Sequence, residues 1–241
     1  MLDRRTFYDA RAPRRLRESD RTYQRLLRNH FRFLVPPGQR VLEVGCSLGD
    51  LLAEVKPAHG TGVDFSPAVL ALARERHPEF KFHEADAAEF RDGERFDYIL
   101  LSDLVNDLPD VQAVLENLHH SAFQHTRLVL NFHNSLWRPF LALAGRLGAK
   151  SPTLPQNWLS LADVKNLLHL AGWEVIRTDT RILWPLRTPL LGALCNRWLA
   201  PWFKHLCLTV FVVARPCPLP VNFRTYTCSV VVPARNEAGN I

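Results

Sequence analysis

The stretch VLEVGCSLGDLL, residues 41–52, places a carboxylate and a glycine turn between a predicted strand and a predicted helix. Such a turn lets a ligand approach the backbone and the N-terminus of the helix. A dinucleotide fingerprint needs glycine at the third and sixth positions counted from Gly45, where this chain has Ser47 and Asp50. Glu43 would also repel a pyrophosphate, because both are anionic. The pattern therefore favours a ligand that carries a cationic group and no phosphate.

Acidic residues also end the predicted strands that follow. Asp64 ends the strand GTGVD, where a carboxylate can accept hydrogen bonds from both ribose hydroxyls. Asp86 follows the strand FKFHEA and is placed to accept from an adenine amino group. S-adenosylmethionine fits, since it carries an adenosine, an ammonium and a sulfonium, and the fourth strand end, LLSDLVNDL, would lie under its methyl group. One acid alone could be a helix or turn cap, but four at successive strand ends are harder to explain as caps.

The glycine turn and these acids resemble those of the class I S-adenosylmethionine-dependent methyltransferases. The resemblance covers residues 38–133 by motif and 158–214 by strand order, and Ser47 stands where the family's GxGxG-type loop has its middle glycine. It implies an α/β fold, a Rossmann-like seven-stranded sheet with helices on both faces. Its strands would be mostly parallel, with an antiparallel last strand. The alternation of short apolar strands with helices independently predicts a parallel sheet.

The resemblance assigns roles to individual residues. The backbone at Gly45 and Cys46 would line the methionine part of the cofactor, Asp64 would bind ribose, and Phe65 would pack on adenine. The complete set of predicted S-adenosyl-L-methionine contacts is Glu43, Gly45, Cys46, Ser47, Gly49, Asp64, Phe65, Asp86, Ala87 and Ser102.

Methyl transfer is an in-line displacement, and alignment of the reactants alone supplies up to about 7–11 kcal/mol in ideal cases. A base is needed only when the acceptor is a protonated alcohol. His133, at the end of the fifth strand, and Asp103, after the fourth, are the catalytic candidates. The alternative for His133 is a substrate contact or an ordinary loop residue.

Three further residues are candidate substrate contacts, each with a structural alternative. Tyr8 could fold over the cofactor or simply pack in the interior. Asn106 could orient a hydroxyl, although the adjoining Asp107 could equally cap the next helix. Asn157 could belong to a substrate lid or to a capping turn.

Composition limits the class of protein. The chain has 241 residues, 47% hydrophobic and 22% charged, which suits a globular protein with a sizeable core. Its five cysteines form no CxxC pair and no zinc-ligand spacing, so no disulfide framework or metal site is predicted. No secretory signal and no apolar run of membrane-spanning length is present, which predicts a cytoplasmic protein.

The formal charge of +6 lies in one region. Residues 1–32 contain ten arginines against four acids, and the remainder is neutral. A solvated helical face explains this surplus as well as an anionic partner does. Nucleic-acid methylation is disfavoured, because no NPPY or DPPY motif follows the fourth strand, where SDLVND stands instead.

The domain prediction has four parts. Residues 1–37 form an Arg-rich helical segment, and residues 38–214 form the methyltransferase domain, with an insertion or lid over 134–160 and a cover over 184–204. Residues 215–227 form a Pro-rich linker, and residues 228–241 begin another domain. The cover is a packed surface or oligomer contact, or it rests on the inner membrane surface, since Arg187, Arg197 and Lys204 accompany Trp184, Trp198 and Trp202.

The final stretch, SVVVPARNEAGNI, resembles the opening strand and loop of family-2-type glycosyltransferases. That resemblance implies a bifunctional protein with a covalently attached glycosyltransferase domain, in which Glu237 would lie near the sugar nucleotide. It also implies a tail that is not paired into the sheet after about residue 217. The function predicted is methyl transfer to a small-molecule, glycan-linked or lipid-linked acceptor. The alternatives are a non-catalytic cofactor-binding scaffold and a nucleic-acid methyltransferase.

Overall fold

The computed structural model describes residues 4–13, 22–146, 154, 156–186 and 188–217. Within these residues the strands are β1 (Arg40–Val44), β2 (His59–Asp64), β3 (Lys81–Glu84), β4 (Phe96–Leu101), β5 (Ala122–His133), β6 (Trp173–Arg181) and β7 (Thr209–Pro216). The α-helices of the same residues are α1 (Arg4–Asp9), α2 (Thr22–Leu34), α3 (Asp50–Glu54), α4 (Pro67–Arg76), α5 (Val111–Asn117), α6 (Arg138–Arg146), α7 (Leu161–Leu170) and α8 (Pro189–Ala193). Short 3₁₀ turns and one π-helical turn, Leu194–Leu199, complete the described elements.

The strands form one seven-stranded sheet in the order β3-β2-β1-β4-β5-β7-β6. Neighbouring strands are parallel except at β7, which runs antiparallel to both β5 and β6. The predicted Rossmann-like sheet with an antiparallel last strand is therefore confirmed. The strand order reverses between β1 and β4, and open α/β sheets bind ligands outside the carboxyl ends of the strands at such a point.

Serine side chains cap the starts of two helices. Ser66 accepts a hydrogen bond from the Val69 N–H, and Pro67 occupies the first turn of α4. Ser160 and Asp163 form a reciprocal capping box at the start of α7. These caps fix where the two helices leave the sheet, and the start of α4 lies beside the end of β2.

Two apolar layers cover the sheet. One layer packs α5 and α7 against the strands, and its largest side chain, Trp173, is buried and donates from Nε1 to the Leu115 carbonyl at 2.8 Å. The other layer packs α2 and α3 against the opposite face, with Leu27 and Phe31 of α2 fully buried. Phe31 makes an edge-to-face contact with Phe211 of β7, with the ring centroids 5.4 Å apart. The Arg-rich segment is therefore anchored by the apolar face of α2.

The side chain of Glu43, in β1, lies in the interior. Its side chain is buried and accepts a hydrogen bond from the Leu52 N–H at 3.0 Å. The N-cap of α3 is Gly49, which has no side chain to cap the helix, so Glu43 satisfies the helix N-terminus instead. Burial raises the pKa of Glu43 well above its usual range, and the Leu52 N–H opposes this shift. Glu43 therefore caps α3, and its contact with the cofactor stays a prediction.

The predicted insertion and cover both contain helices. Helix α6 lies within 134–160, and α8 with the π-helical turn lies within 184–204. Residues 218–241, which contain most of the predicted linker and all of the glycosyltransferase-like stretch, are outside the described residues.

The raised pKa of Glu43 predicts a pH-dependent stability. A free glutamate titrates near pH 4.3, so as the pH rises the unfolded chain loses this proton before the folded chain does. The folded state is then progressively disfavoured between the unfolded and the folded pKa values. Glu43→Gln removes the titration and keeps an acceptor for the Leu52 N–H. We expect this variant to have a higher free energy of unfolding than the wild type at about pH 8, and an equal one at about pH 4.

Urea denaturation at the two pH values measures this difference, with the exposed Glu89→Gln as the matched control. A stability difference that is the same at both pH values would contradict a raised pKa at Glu43.

Gly62 in β2 is a packing constraint. A Cβ at this position would lie 2.7 Å from Phe82 Cδ1 and 2.8 Å from Cys46 Sγ. We expect Gly62→Ala to lower the free energy of unfolding by about 1–3 kcal/mol, because a filled interior must shift to admit the methyl group. Gly145→Ala is the control, since nothing lies within 4 Å of its Cβ position. Equal stability of the two variants in urea denaturation would refute tight packing at Gly62.

Candidate functional site

The turn after β1 has an unusual backbone. Gly45, Ser47 and Gly49 all have positive φ angles, of 74°, 49° and 76°. The N–H groups of Gly45 and Cys46 both donate to the Val63 carbonyl, at 2.8 and 3.0 Å, which ties the turn to the end of β2. The left-handed conformation at Ser47 costs roughly 1–2 kcal/mol in a residue with a Cβ. A glycine at this position would avoid that cost, whereas Ser47 adopts the left-handed conformation against it.

Asp64 is the hydrogen-bond acceptor that holds this turn in place. Its Oδ2 accepts from the Ser47 N–H, and its Oδ1 accepts from the Ser66 N–H, both at 3.0 Å. One carboxylate therefore joins the turn after β1 to the turn after β2.

A cavity of about 480 Å³ opens at the carboxyl ends of β1, β2 and β3. This volume lies within the range of small-molecule sites. Its wall consists of Arg4, Arg5, Val44, Gly45, Val63, Asp64, Phe65, Glu84, Ala85, Asp86, Ala87, Leu104, Leu108 and Pro109. The cavity therefore lies beside the point where the strand order reverses, as predicted for the ligand.

The cavity wall needs glycine at position 45. A Cβ there would lie 2.9 Å from Leu104 Cδ1, so the side chain of Leu104 occupies the space above the turn. Asp86 of the same wall accepts from the Ala88 N–H at 2.9 Å, which orients its carboxylate at the start of a turn. The apolar wall residues and the carboxylates of Asp64 and Asp86 suit a ligand with one aromatic and one hydroxylated part.

Helix α1 forms one side of the cavity. Arg5 forms an ion pair with Glu84, and the guanidinium of Arg4 lies 5.6 Å from the ring centroid of Phe65. Tyr8 packs edge-to-face on the same ring, with the centroids 5.4 Å apart. The predicted adenine-packing residue, Phe65, is therefore itself covered by α1.

The three predicted substrate contacts all hold neighbouring segments together. The Tyr8 hydroxyl donates to Asp107 Oδ2 at 2.7 Å. The side chain of Asn106 donates to the Asn157 carbonyl at 2.7 Å, and the side chain of Asn157 donates to the Leu108 carbonyl at 2.6 Å. None of the three belongs to the cavity wall, so a role in substrate contact stays a prediction for each of them.

A polar cluster lies at the carboxyl ends of β4 and β5. Asp103, with a φ of 52°, accepts at Oδ1 from the Tyr23 hydroxyl at 2.9 Å and from Asn131 Nδ2 at 2.6 Å. The Asp103 N–H donates to Asn131 Oδ1 at 3.1 Å. Desolvation of its hydroxyl and the nearby charge of Asp103 raise the pKa of Tyr23 well above its usual range. Tyr23 is therefore a protonated donor that fixes one carboxylate oxygen.

The second catalytic candidate adjoins this cluster. The ring of His133 stacks on Tyr23 with the centroids 5.8 Å apart, and its backbone N–H donates to Asn106 Oδ1 at 3.1 Å. His133 Nδ1 is buried and has no hydrogen-bond partner among the described residues. The structure thus brings Asp103 and His133 together through Tyr23, a residue that sequence reasoning missed. Tyr23 lies four residues before Leu27 and eight before Phe31, a spacing that places it on the buried face of α2. This helical spacing was the sequence signal that could have indicated a buried tyrosine.

The predicted cofactor contacts divide into two groups. Those in the cavity wall are Gly45, Asp64, Phe65, Asp86 and Ala87, and those outside it are Glu43, Cys46, Ser47, Gly49 and Ser102. The side chain of Cys46 is buried with Leu70, Ala73 and Phe82, so its thiol lies in the interior. A contact through the backbone of the turn stays a prediction for Cys46, Ser47 and Gly49.

Comparison with known proteins points to one family. The family model described as a methyltransferase domain matches residues 42–124. Trans-aconitate 2-methyltransferase of Escherichia coli O7:K1 is 30% identical over 156 residues, which is 63% of this chain and 50% of that protein. The chain thus spans about half the length of the curated relatives that it matches.

Solved structures share the fold. A chain from the complex of the Haloferax volcanii Trm112 methyltransferase activator with a methyltransferase superposes with a TM-score of 0.70 at 16% identity, covering 90% of this chain and 98% of that one. An S-adenosylmethionine-dependent methyltransferase from Thermotoga maritima gives 0.69 at 15% identity, covering 88% and 98%. The methyltransferase-domain model thus matches residues 42–124 of this chain, and the solved structures share the fold of the seven-stranded sheet that surrounds this stretch.

Proposed function

We propose that the chain transfers a methyl group from S-adenosyl-L-methionine to a small-molecule, glycan-linked or lipid-linked acceptor. The observation that carries this proposal is the cavity at the switch point of the sheet, where Gly45, Asp64 and Asp86 share one wall. When bound, the cofactor supplies a methyl group on a sulfonium. The residues of the chain bind it, orient the acceptor and exclude water.

The wall residues fit the parts of this cofactor. The backbone of Gly45 lines the cavity where the methionine portion would lie, and Asp64 is the acceptor for the ribose hydroxyls. Phe65 and Ala87 offer apolar surface to the adenine, and the Asp86 carboxylate can accept from its amino group. The Arg4 and Arg5 side chains of α1 close the wall beside Phe65, which limits the access of water.

Asp103 and His133 are the proposed catalytic residues. Asp103 is held by Tyr23 and Asn131, so its carboxylate cannot rotate freely. His133 ends β5 and stacks on Tyr23 beside Asp103, and it is proposed to take the proton of an acceptor hydroxyl. General-base assistance of this kind contributes about 10²–10⁴-fold to a rate.

Two observations bear on the chemical class of the methyl acceptor. The curated relative is named for trans-aconitate, which favours a small-molecule acceptor. The stretch 228–241 resembles the start of a glycosyltransferase, which favours a glycan-related or lipid-linked one. The attached glycosyltransferase domain stays part of the proposal, as that stretch lies outside the described residues.

The direct test uses S-adenosylmethionine labelled in its methyl group. The chain is incubated with pools of small metabolites and, separately, with lipid and glycolipid extracts, and labelled products are identified by mass spectrometry. Transfer to a discrete product supports the proposal. Binding of S-adenosylhomocysteine without transfer to any pool would favour the non-catalytic scaffold.

The role of Asp64 predicts the strength of cofactor binding. We expect Asp64→Ala to weaken the binding of S-adenosylhomocysteine more than tenfold, or about 1.4 kcal/mol, because the ribose acceptor and the anchor of the Ser47 N–H are both lost. Isothermal titration measures the affinity, and circular dichroism checks that the fold persists. Asp92→Ala is the control, since Asp92 accepts only from the Glu94 N–H in another turn of the described chain. An unchanged affinity would exclude Asp64 as the ribose contact.

The proposed role of His133 as the base leads to a prediction for the rate of methyl transfer. Once an acceptor is known, we expect His133→Ala to lower kcat by about 10²–10⁴-fold, with little change in the affinity for S-adenosylhomocysteine, because the proton acceptor is removed from an intact cofactor site. His169→Ala, at an exposed position of α7, is the control. Unchanged turnover in the His133 variant would remove it as the base.

A further inference from the structure

The structure leaves an apolar surface uncovered on two segments, residues 134–146 and 184–208, here called the Trp-rich surface. Of the fourteen large apolar side chains that are exposed in the described part of the chain, eleven belong to it. The exposed fraction is 89% for Leu190, 85% for Trp202 and 66% for Trp198. Contiguous exposed apolar patches mark interaction sites more often than scattered single residues do.

The two segments form one continuous face. Trp137 Nε1 donates to the Leu206 carbonyl at 2.8 Å, and Asn134 Nδ2 donates to the carbonyls of His205 and Cys207 at 2.9 and 3.1 Å. Helix α6, with Phe140 among its exposed side chains, has no buried residue at all. The hydrogen bonds of Asn134 and Trp137 therefore fix the start of this segment, and the apolar side chains of α6 point outwards.

The second segment is held in shape by its own polar contacts. Asn196 accepts from the Trp184 N–H at 2.9 Å and donates to the Trp184 carbonyl at 2.8 Å. Trp184 Nε1 donates to Thr188 Oγ1 at 2.7 Å. These bonds close a compact loop from which Trp198 and Trp202 project, so the exposure of these rings does not come from an unstructured segment.

The Trp-rich surface carries positive charge and no negative charge. Neither segment contains an aspartate or a glutamate, and Arg138, Arg146, Arg197 and Lys204 lie within them. None of these four cations forms an ion pair within 4 Å among the described residues. A second copy of the chain would bring like charges together across the interface, which is unfavourable. An anionic lipid surface matches both the cations and the exposed tryptophans, whose amphipathic rings favour the headgroup level.

The position of the surface relates it to the cavity. The first segment follows the carboxyl end of β5, and the second joins the end of β6 to the start of β7. Because β6 runs antiparallel to β7 and β7 antiparallel to β5, both segments leave the sheet at its carboxyl edge. The cavity at β1, β2 and β3 opens at this same edge.

No helix among the described residues has the length and apolar character needed to cross a membrane.

We propose that the Trp-rich surface docks the protein onto bilayers that contain anionic lipid, with Trp198 and Trp202 at the headgroup level and the four cations next to the lipid phosphates. This docking goes beyond methyl transfer and does not depend on it. It places the carboxyl edge of the sheet against the membrane.

Vesicle co-sedimentation of the full chain tests the docking. We expect binding to vesicles of phosphatidylglycerol mixed with phosphatidylcholine to be at least about tenfold stronger than binding to pure phosphatidylcholine, and to weaken with added salt. Trp198→Ala combined with Trp202→Ala should weaken binding to the mixed vesicles by about tenfold or more. Arg197→Gln combined with Lys204→Gln should remove most of the preference for anionic lipid.

The matched control removes exposed apolar side chains elsewhere, with Leu170→Ala combined with Ile176→Ala, and should bind like the wild type. Titration with S-adenosylhomocysteine, run on every variant, checks the fold and separates loss of docking from loss of cofactor binding. The proposal is overturned if wild type and the tryptophan variant bind vesicles equally, if neutral and anionic vesicles bind equally, or if the chain self-associates through this surface and ignores lipid.

Discussion

One carboxylate holds the ligand edge of this sheet in shape. Asp64 accepts from the backbone of the turn after β1, at Ser47, and of the turn after β2, at Ser66, and so fixes the two turns relative to each other. The strained backbone at Ser47 persists because a charge-assisted hydrogen bond offsets its cost. Ser66 in turn begins α4, so the same contact also sets the position of that helix. A side chain that is predicted to bind a ligand thus builds the site before any ligand arrives.

The polar cluster at the carboxyl ends of β4 and β5 is the second organised part of this edge of the sheet. Asp103, Tyr23, Asn131 and His133 come from the end of β4, from α2 and from β5, and their contacts join the N-terminal segment to the centre of the sheet. Tyr23 also approaches Thr209 of β7, with 3.4 Å between the two side-chain oxygens. The rigidity of this cluster comes from α2, which is itself held by buried Leu27 and Phe31.

Much of the fold could be predicted from the sequence, because periodicity and capping residues are local signals. The strand ends at Asp64 and near Asp86 were predictable, and both residues line the cavity. The contact of Glu43 with Leu52 could not be predicted, because the sequence shows that an acid lies at a strand end but not the direction of its side chain. Gly49, without a side chain to cap α3, left that N-terminus to Glu43. Tyr23 was missed because its partner Asp103 is eighty residues away, and a contact over that separation leaves no local pattern.

The buried side-chain amide of Asn131 affects the register in which β5 pairs with β4. Asn131 is fully enclosed in β5, and both of its side-chain hydrogen bonds are made with Asp103, just beyond the end of β4. A slip of β5 by one residue would leave this amide without partners in an apolar interior, at a cost of about 1–3 kcal/mol for each unsatisfied group. The surrounding leucines and valines would tolerate such a slip far better. Asn131 therefore selects the native register of β5 against β4. The same register brings the residues of the candidate site together.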